Sequence, residues 1–237
     1  MKNYPYNKVH HLRDFKEMMN YAAEHFKNDI AFQYMTGSEK TAVTFDKFHS
    51  DTFAFAAYLN TLSKDCRKIA LIGENSYEWV VCYIAAVISG NIIVPIDKEL
   101  KPGEAAHLVR ECGADMLIYS AKKKDILEEF TDAELSDMLC LDDFAPAVTK
   151  GAEAGAEFAV SDEPCNVEAT CAIIFTSGTT GMPKMITHNF LYPLGHITTA
   201  HFWQKVEDEG RHLTVSDSGW AKFAWGKIYG QWICGAV

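Results

Sequence analysis

Three short segments, "KIALIG" (68–73), "NIIVPI" (91–96) and "ADMLIYS" (114–120), are apolar along their whole length and are separated by helical patterns. "ENSYEWVVCYIAAVISG" reads as a helix ending at Gly90, and "KPGEAAHLVRECG" as a helix with proline near its start and Gly113 at its end. Strands alternating with helices of this length imply right-handed crossovers and a parallel sheet. Strands that are apolar throughout, rather than at every second residue, imply helices on both faces.

The rest of the chain extends this α/β pattern. The opening to about Lys27 has Leu12, Phe15, Met18, Met19, Ala22 and Ala23 at helical spacing. "AFQYM" and "TAVTF" flank "TGSEK", which predicts a β-hairpin. A helix capped by Thr44 follows, with Phe48, Thr52, Phe55 and Leu59 on one face. Residues 145–168 carry much Ala, Glu and Gly without apolar periodicity and read as a linker or long loop. Beyond it come the strand "ATCAIIFT", the short strand "KMITH" and a helix capped by Asn189. "HLTVSD" reads as a strand and "GWAKFAWGKIYGQWICGA" as a helix. The expected architecture is two βαβ-type parallel-sheet subdomains flanked by helices, 1–144 and 169–237, joined by 145–168. Such a chain needs a strand after its last helix, and the sequence stops at Val237, so it reads as cut in mid-architecture. An unpaired sheet edge predicts self-association.

A length of 237 residues with 48% hydrophobic content suits one large domain or two small ones. The formal net charge of −10 argues against nucleic acid or an anionic membrane as partner. The seven cysteines form no C-x-x-C pair and are odd in number, which predicts buried reduced thiols and a cytoplasmic location. The polar N-terminus has no signal-peptide core, and no apolar run has the length to span a bilayer. His188, His196 and His201, eight and five residues apart, do not share a helical face, so no metal site is expected from them.

One loop carries the chemistry. From Thr176 to Lys184 the chain reads "TSGTTGMPK", between two segments that look like strands. Ligands of open parallel sheets bind beyond the carboxyl ends of strands. Gly178 and Gly181 permit positive φ and close approach, and successive backbone N–H groups then form an anion-binding concavity. Thr176, Ser177, Thr179 and Thr180 add hydroxyl donors, Lys184 adds a cation, and Pro183 fixes where that lysine starts. Each hydrogen bond to a charged oxygen is worth about 1.5–3 kcal/mol. A flexible Ser/Thr/Gly surface loop is the plain alternative. Two other phosphate motifs fail: the spacing is not G-x-x-x-x-G-K-[ST], and no G-x-G-x-x-G opens a helix.

"FTSGTTGMPK" resembles the phosphate-loop signature of the AMP-forming, adenylate-forming enzyme superfamily, which includes acyl-CoA synthetases, luciferases and peptide-synthetase adenylation domains. "IALIGENSYEWVVCYIAAVISGNIIVPID" and "LVRECGADMLIYS" are similar to the N-terminal half of acyl-CoA synthetases. "THNFLYPLGHITTAHFWQ" and "SDSGWAKFAWGKIYGQWICGA" are most similar to short- and medium-chain ones. The resemblance covers nearly the whole chain. It implies that Thr176, Ser177, Gly178, Thr179, Thr180, Gly181 and Lys184 bind the β- and γ-phosphates of ATP, with Lys184 and Thr176 as the catalytic groups. It implies a carboxylate substrate, ATP with Mg²⁺, and CoA. The segment after "SDSGW" would line an acyl pocket through Trp220, Trp225, Gly226 and Tyr229, with Phe223 and Trp232 as further aromatics. Plain packing on the sheet accounts for each equally well.

The family's later motifs, among them an adenine-stacking loop, a ribose-binding aspartate and a C-terminal catalytic lysine, are missing. "YMTGSE" (34–39) reads as a hairpin turn. The chain alone is therefore expected to be inactive. A non-catalytic nucleotide-binding module and an adenylating enzyme with a non-CoA acceptor are the alternatives. An NAD-dependent oxidoreductase shares the alternation and lacks the fingerprint.

Overall fold

The computed structural model describes residues 12–63, 65–131, 133–163, 166–177 and 183–237. Helix α1 (Phe15–His25) starts where Asp14 accepts the Glu17 N–H at 2.8 Å. The expected hairpin forms as β1 (Ile30–Thr36) and β2 (Glu39–Thr44), turning at Gly37 with φ +63°. Thr44 caps α2 (Phe45–Leu62) by accepting the Lys47 N–H.

The alternating region builds β3 (Lys68–Ile72), α3 (Tyr77–Ile88), β4 (Ile92–Ile96), α4 (Pro102–Glu111) and β5 (Met116–Tyr119). Gly90 and Gly113 take left-handed φ values of +81° and +63° just past the helices, as C-terminal glycines do. A further strand, β6 (Asp137–Cys140), follows 3₁₀ turns at Ala121–Glu129. Along β3, Ile69 and Leu71 face one core, with α2 and α3. Ala70 and Ile72 face another, with Ala105, Ala106, Leu108 and Val109 of α4. Both faces are buried, which is why the strands carry no polar alternation.

The segment read as a linker is built into the fold. Helix α5 (Phe144–Ala152) lies against α2, with Gly151 so close that a Cβ there would stand 1.8 Å from the Ala54 carbonyl oxygen. Beyond it, Asn60 donates to the Phe158 carbonyl at 2.8 Å, and Lys16 donates to the Ser161 and Glu163 carbonyls. Composition hides this helix, because its buried face of Phe144, Ala147 and Gly151 is made mostly of small residues.

β7 (Thr170–Thr176) and β8 (Lys184–Asn189) complete a six-stranded sheet in the order β6-β5-β3-β4-β7-β8. β3 to β7 pair parallel, and β8 returns antiparallel to β7. The connection at 177–183 is far shorter than the dozen or so residues a parallel crossover needs, so a hairpin is forced. Helix α6 (Leu191–Phe202) follows, and Asn189 accepts the Leu191 N–H at 3.2 Å.

Two expectations fail here. "HLTVSD" pairs with no strand among the described residues, and Leu213 and Val215 stand 86% and 82% exposed. It is held instead by His212 Nε2 and the Thr214 hydroxyl, which both reach the Gly226 carbonyl, and by the His212 N–H, which donates to the Val237 carbonyl. The expected last helix is broken into a short α7 (Ala221–Phe223), a π-helical turn (Ala224–Ile228) and a 3₁₀ turn (Gln231–Cys234). Gly230 interrupts it because the backbone crosses α6 there; a Cβ would lie 2.5 Å from the His196 carbonyl oxygen.

Among the described residues no helix is long and apolar enough to cross a membrane. Cys82, Cys112, Cys171 and Cys234 are buried as expected, whereas Cys66 is exposed.

Candidate active-site loop at the sheet's carboxyl end

β7 is buried at Cys171, Ala172, Ile173 and Ile174 and emerges at Thr176, which is exposed, as is Ser177. Its parallel pairing with β4 puts this exit at the same end of the sheet as the carboxyl ends of β3, β4, β5 and β6. Thr176 and Lys184 face each other as the last pair of the β7–β8 ladder. The Thr176 hydroxyl donates to the Lys184 carbonyl at 3.5 Å, the outer limit for such a bond. The segment 177–183 is thus a hairpin loop closed at its base by the two residues read as catalytic. Lys184 is exposed and has no carboxylate partner among the described residues. Its charge stays available to an anion. Gly178, Thr179, Thr180 and Gly181 lie outside the described residues.

A second segment crosses this end of the sheet. Ser218 donates to the Gly73 carbonyl at 2.7 Å, just past β3, and Asn75 donates to the Ser216 carbonyl at 2.8 Å. Gly219 sits on the backbone just past β4, where a Cβ would stand 2.3 Å from the Asp97 Cα. Lys98 bridges Glu99 and Asp217 at 2.6 and 3.0 Å, and these two carboxylates, Glu99 first, raise its pKa. Sequence reasoning misses all of these contacts. The glycine beside a serine in "SDSGW" is the available signal.

Next to this crossing an open cleft of about 380 Å³ lies over the ends of β3, β5 and β6, lined by Glu74, Glu78, Ser120, Asp142 and Phe144. Its carboxylates repel phosphate. Of the two regions described here, the end of the sheet beside β7, where Lys184 stands exposed, is the one whose charge suits an anion.

The residues expected around an acyl chain separate into two places. Trp225 and Tyr229 both stack on His196, at ring distances of 6.2 and 5.8 Å. Tyr229 is fully buried and its hydroxyl meets that of Tyr83. Gly226 faces Thr214. Trp220 is 59% exposed, and no ring contact joins it to the others among the described residues. Phe223 packs on Trp79, and Trp232 on Phe32 and Phe48. His188 stands opposite Ala172, several residues along β8 from the loop, and its ring lies 3.8 Å from that of Tyr192, tilted by 30°.

Known proteins match this architecture. The sequence profile described as AMP-binding enzyme matches residues 19–236. The chain is 29% identical over 162 residues to 4-hydroxybutyrate–CoA ligase 1 of Metallosphaera sedula, a stretch covering 67% of this chain and 28% of that protein. It is 26% identical over 194 residues to the human mitochondrial acyl-coenzyme A synthetase ACSM3, covering 76% of this chain and 32% of the relative. The chain thus spans about a third of the length of these relatives. The N-terminal domain of FACL13 from Mycobacterium tuberculosis superposes with a TM-score of 0.78 at 20% identity, over 95% of this chain and 56% of that one. The O-succinylbenzoate coenzyme A synthetase of Bacillus subtilis, in complex with AMP, superposes at 0.72 and 18% identity, over 92% and 54%.

Proposed function

The chain belongs to the AMP-binding enzyme family, and from that premise we propose that it supplies the phosphate-gripping part of an ATP-dependent, AMP-forming carboxylate–CoA ligase. The observation that carries this reading is the hairpin loop beyond β7, closed at its base by Thr176 and by Lys184, whose charge no described carboxylate neutralises. In the proposed first step a carboxylate oxygen attacks the α-phosphorus of ATP. The bond from that phosphorus to the bridging oxygen breaks, and pyrophosphate leaves. In the second step the CoA thiol attacks the acyl carbon, a thioester forms and AMP leaves.

The protein's part in the first step is electrostatic, since negative charge grows on the leaving pyrophosphate. Lys184 answers it with a full charge, and Thr176 and Ser177 with hydroxyl donors. An exposed ammonium beside two exposed hydroxyls fits a triphosphate tail. Gly178, Thr179, Thr180 and Gly181 are assigned to the same grip. Mg²⁺ arriving with the nucleotide supplies further neutralisation of phosphate oxygens. No residue of this chain is assigned to Mg²⁺ or to CoA.

The names of the relatives, one a 4-hydroxybutyrate ligase and another a general acyl-coenzyme A synthetase, support a short- or medium-chain acid as substrate. Trp225, Gly226 and Tyr229 are assigned to that end, and Trp220 to its rim. The odd cysteine number and the lack of any C-x-x-C pair support a cytoplasmic location. Met185 and Ile186, each 41% exposed on the edge strand β8, support self-association. By itself the 237-residue chain is expected to yield no acyl-CoA.

Carboxylate-dependent exchange of labelled pyrophosphate into ATP, run on the protein bearing this chain with a graded panel of acids, tests the reading. Exchange with one class of acid, and thioester formation once CoA is added, is the expected result. No exchange with any acid overturns it, and exchange without thioester formation moves the acceptor away from CoA.

A further inference from the structure

His201, Asp208 and Cys234 come from three separate places in the chain: the last turn of α6, the loop after it, and the final 3₁₀ turn. Their ligand atoms nevertheless lie within 4.8 Å of one another. Cys234 Sγ stands 3.6 Å from His201 Nε2 and 3.8 Å from Nδ1. From this geometry we propose that His201, Asp208 and Cys234 form a site for a zinc-like divalent cation, distinct from the phosphate loop.

The backbone holds the three together. Glu209 N–H donates to the Cys234 carbonyl at 2.7 Å, Val237 N–H to the Gly210 carbonyl at 2.9 Å, and His212 N–H to the Val237 carbonyl at 2.9 Å. These bonds clamp the acidic loop 207–210 along the final turn. Gly230, pressed against the His196 carbonyl and the Ala200 methyl, brings Cys234 under the end of α6.

The donor set selects the ion. A thiolate, an imidazole and a carboxylate suit Zn²⁺, whereas Mg²⁺ and Ca²⁺ prefer oxygen alone. Around a tetrahedral zinc, sulfur at about 2.3 Å and nitrogen at about 2.1 Å stand about 3.6 Å apart. That is the observed Sγ–Nε2 separation. The sulfur lies beside the imidazole, so the ring turns about its Cβ–Cγ bond to aim a nitrogen at the ion. Water takes the fourth position, as at three-ligand zinc sites. On binding, the Cys234 thiol gives its proton to solvent and the sulfur becomes a thiolate ligand.

The same three residue types make a Cys-His-Asp nucleophile in other folds. Here Cys234 is 1% exposed, which bars a substrate carbonyl from the sulfur. A bare ion can enter past Asp208, which is exposed and flanked by Glu207 and Glu209. Histidine spacing along the sequence misses such a site, because its ligands converge only in three dimensions.

The test is zinc titration of the chelator-stripped protein bearing this chain against a chromophoric chelator, with Co²⁺ as a spectroscopic substitute. The expected result is one saturable site per chain and a thiolate-to-cobalt absorption band. Zn²⁺ should raise the melting temperature of the unmodified protein. Cys234→Ala removes the band. Asp208→Asn, at an exposed position that leaves folding intact, weakens Zn²⁺ binding on the order of tenfold or more. If Cys234→Ala fails to fold, His201→Gln and Asp208→Asn decide. The absence of one-to-one binding, or binding that these variants leave unchanged, overturns the proposal and leaves a buried thiol resting on a histidine.

Discussion

The hydroxyls of Tyr83, on α3, and Tyr229, in the broken last helix, hydrogen-bond to each other in the core, 146 residues apart, where both rings are fully buried. Each is the polar partner the other needs. Tyr229→Phe strands the Tyr83 hydroxyl in an apolar core and should cost about 1–3 kcal/mol in denaturant unfolding. The double variant Tyr83→Phe/Tyr229→Phe should recover part of that loss, since no buried oxygen is then left alone. Additive losses would show that the pair is not coupled.

Two glycines give opposite predictions. Gly151 touches the α2 backbone, and alanine there drives α5 off Ala54. The melting point of Gly151→Ala should fall, at a cost of about 1–3 kcal/mol. Gly195 lies inside α6, and a methyl group in place of its hydrogen would meet nothing within 4 Å. Gly195→Ala should raise stability by about 0.5–1 kcal/mol, the ordinary gain of alanine over glycine in a helix. Equal effects at the two sites would contradict the close docking of α5.

Burial lowers the pKa of His196 from 6.5 to about 4, and the neighbouring His188 charge adds to the effect. His188 is lowered by its own burial. The folded state thus holds a neutral ring where the unfolded chain takes up a proton below about 6.5. Stability should be complete above that pH and decline as the pH falls from 6.5 toward 4. Melting temperature against pH measures this, and His196→Gln should flatten the decline. An unchanged slope in that variant would assign the acid sensitivity elsewhere.

The alternation from Lys68 to Ser120 is legible in the sequence because strand, cap and helix signals agree there: Gly90 and Gly113 stop helices, and, just upstream, Thr44 starts one, as their chemistry dictates. The strands on either side of the loop, β7 and β8, are legible as well. Helix α5 is not, since its buried face of Phe144, Ala147 and Gly151 is made mostly of small residues amid an Ala- and Gly-rich stretch. Leu213 and Val215 alternate like a strand, but alternation describes a strand only when a partner edge is present. The break at Gly230 depends on where α6 crosses, which local sequence does not encode. Ser218 over Gly73 and the meeting of His201 with Cys234 are likewise products of the fold.

Whether the hairpin beyond β7 grips the polyphosphate of ATP is tested most directly by nucleotide affinity and adenylation rate, measured on the protein bearing this chain. Thr176 and Lys184 are exposed, so Lys184→Met and Thr176→Val should leave the melting temperature unchanged. Each should slow pyrophosphate exchange by about a hundredfold, the usual effect of removing one donor to a developing charge. Unaltered ATP binding and exchange in the combined variant would contradict the account.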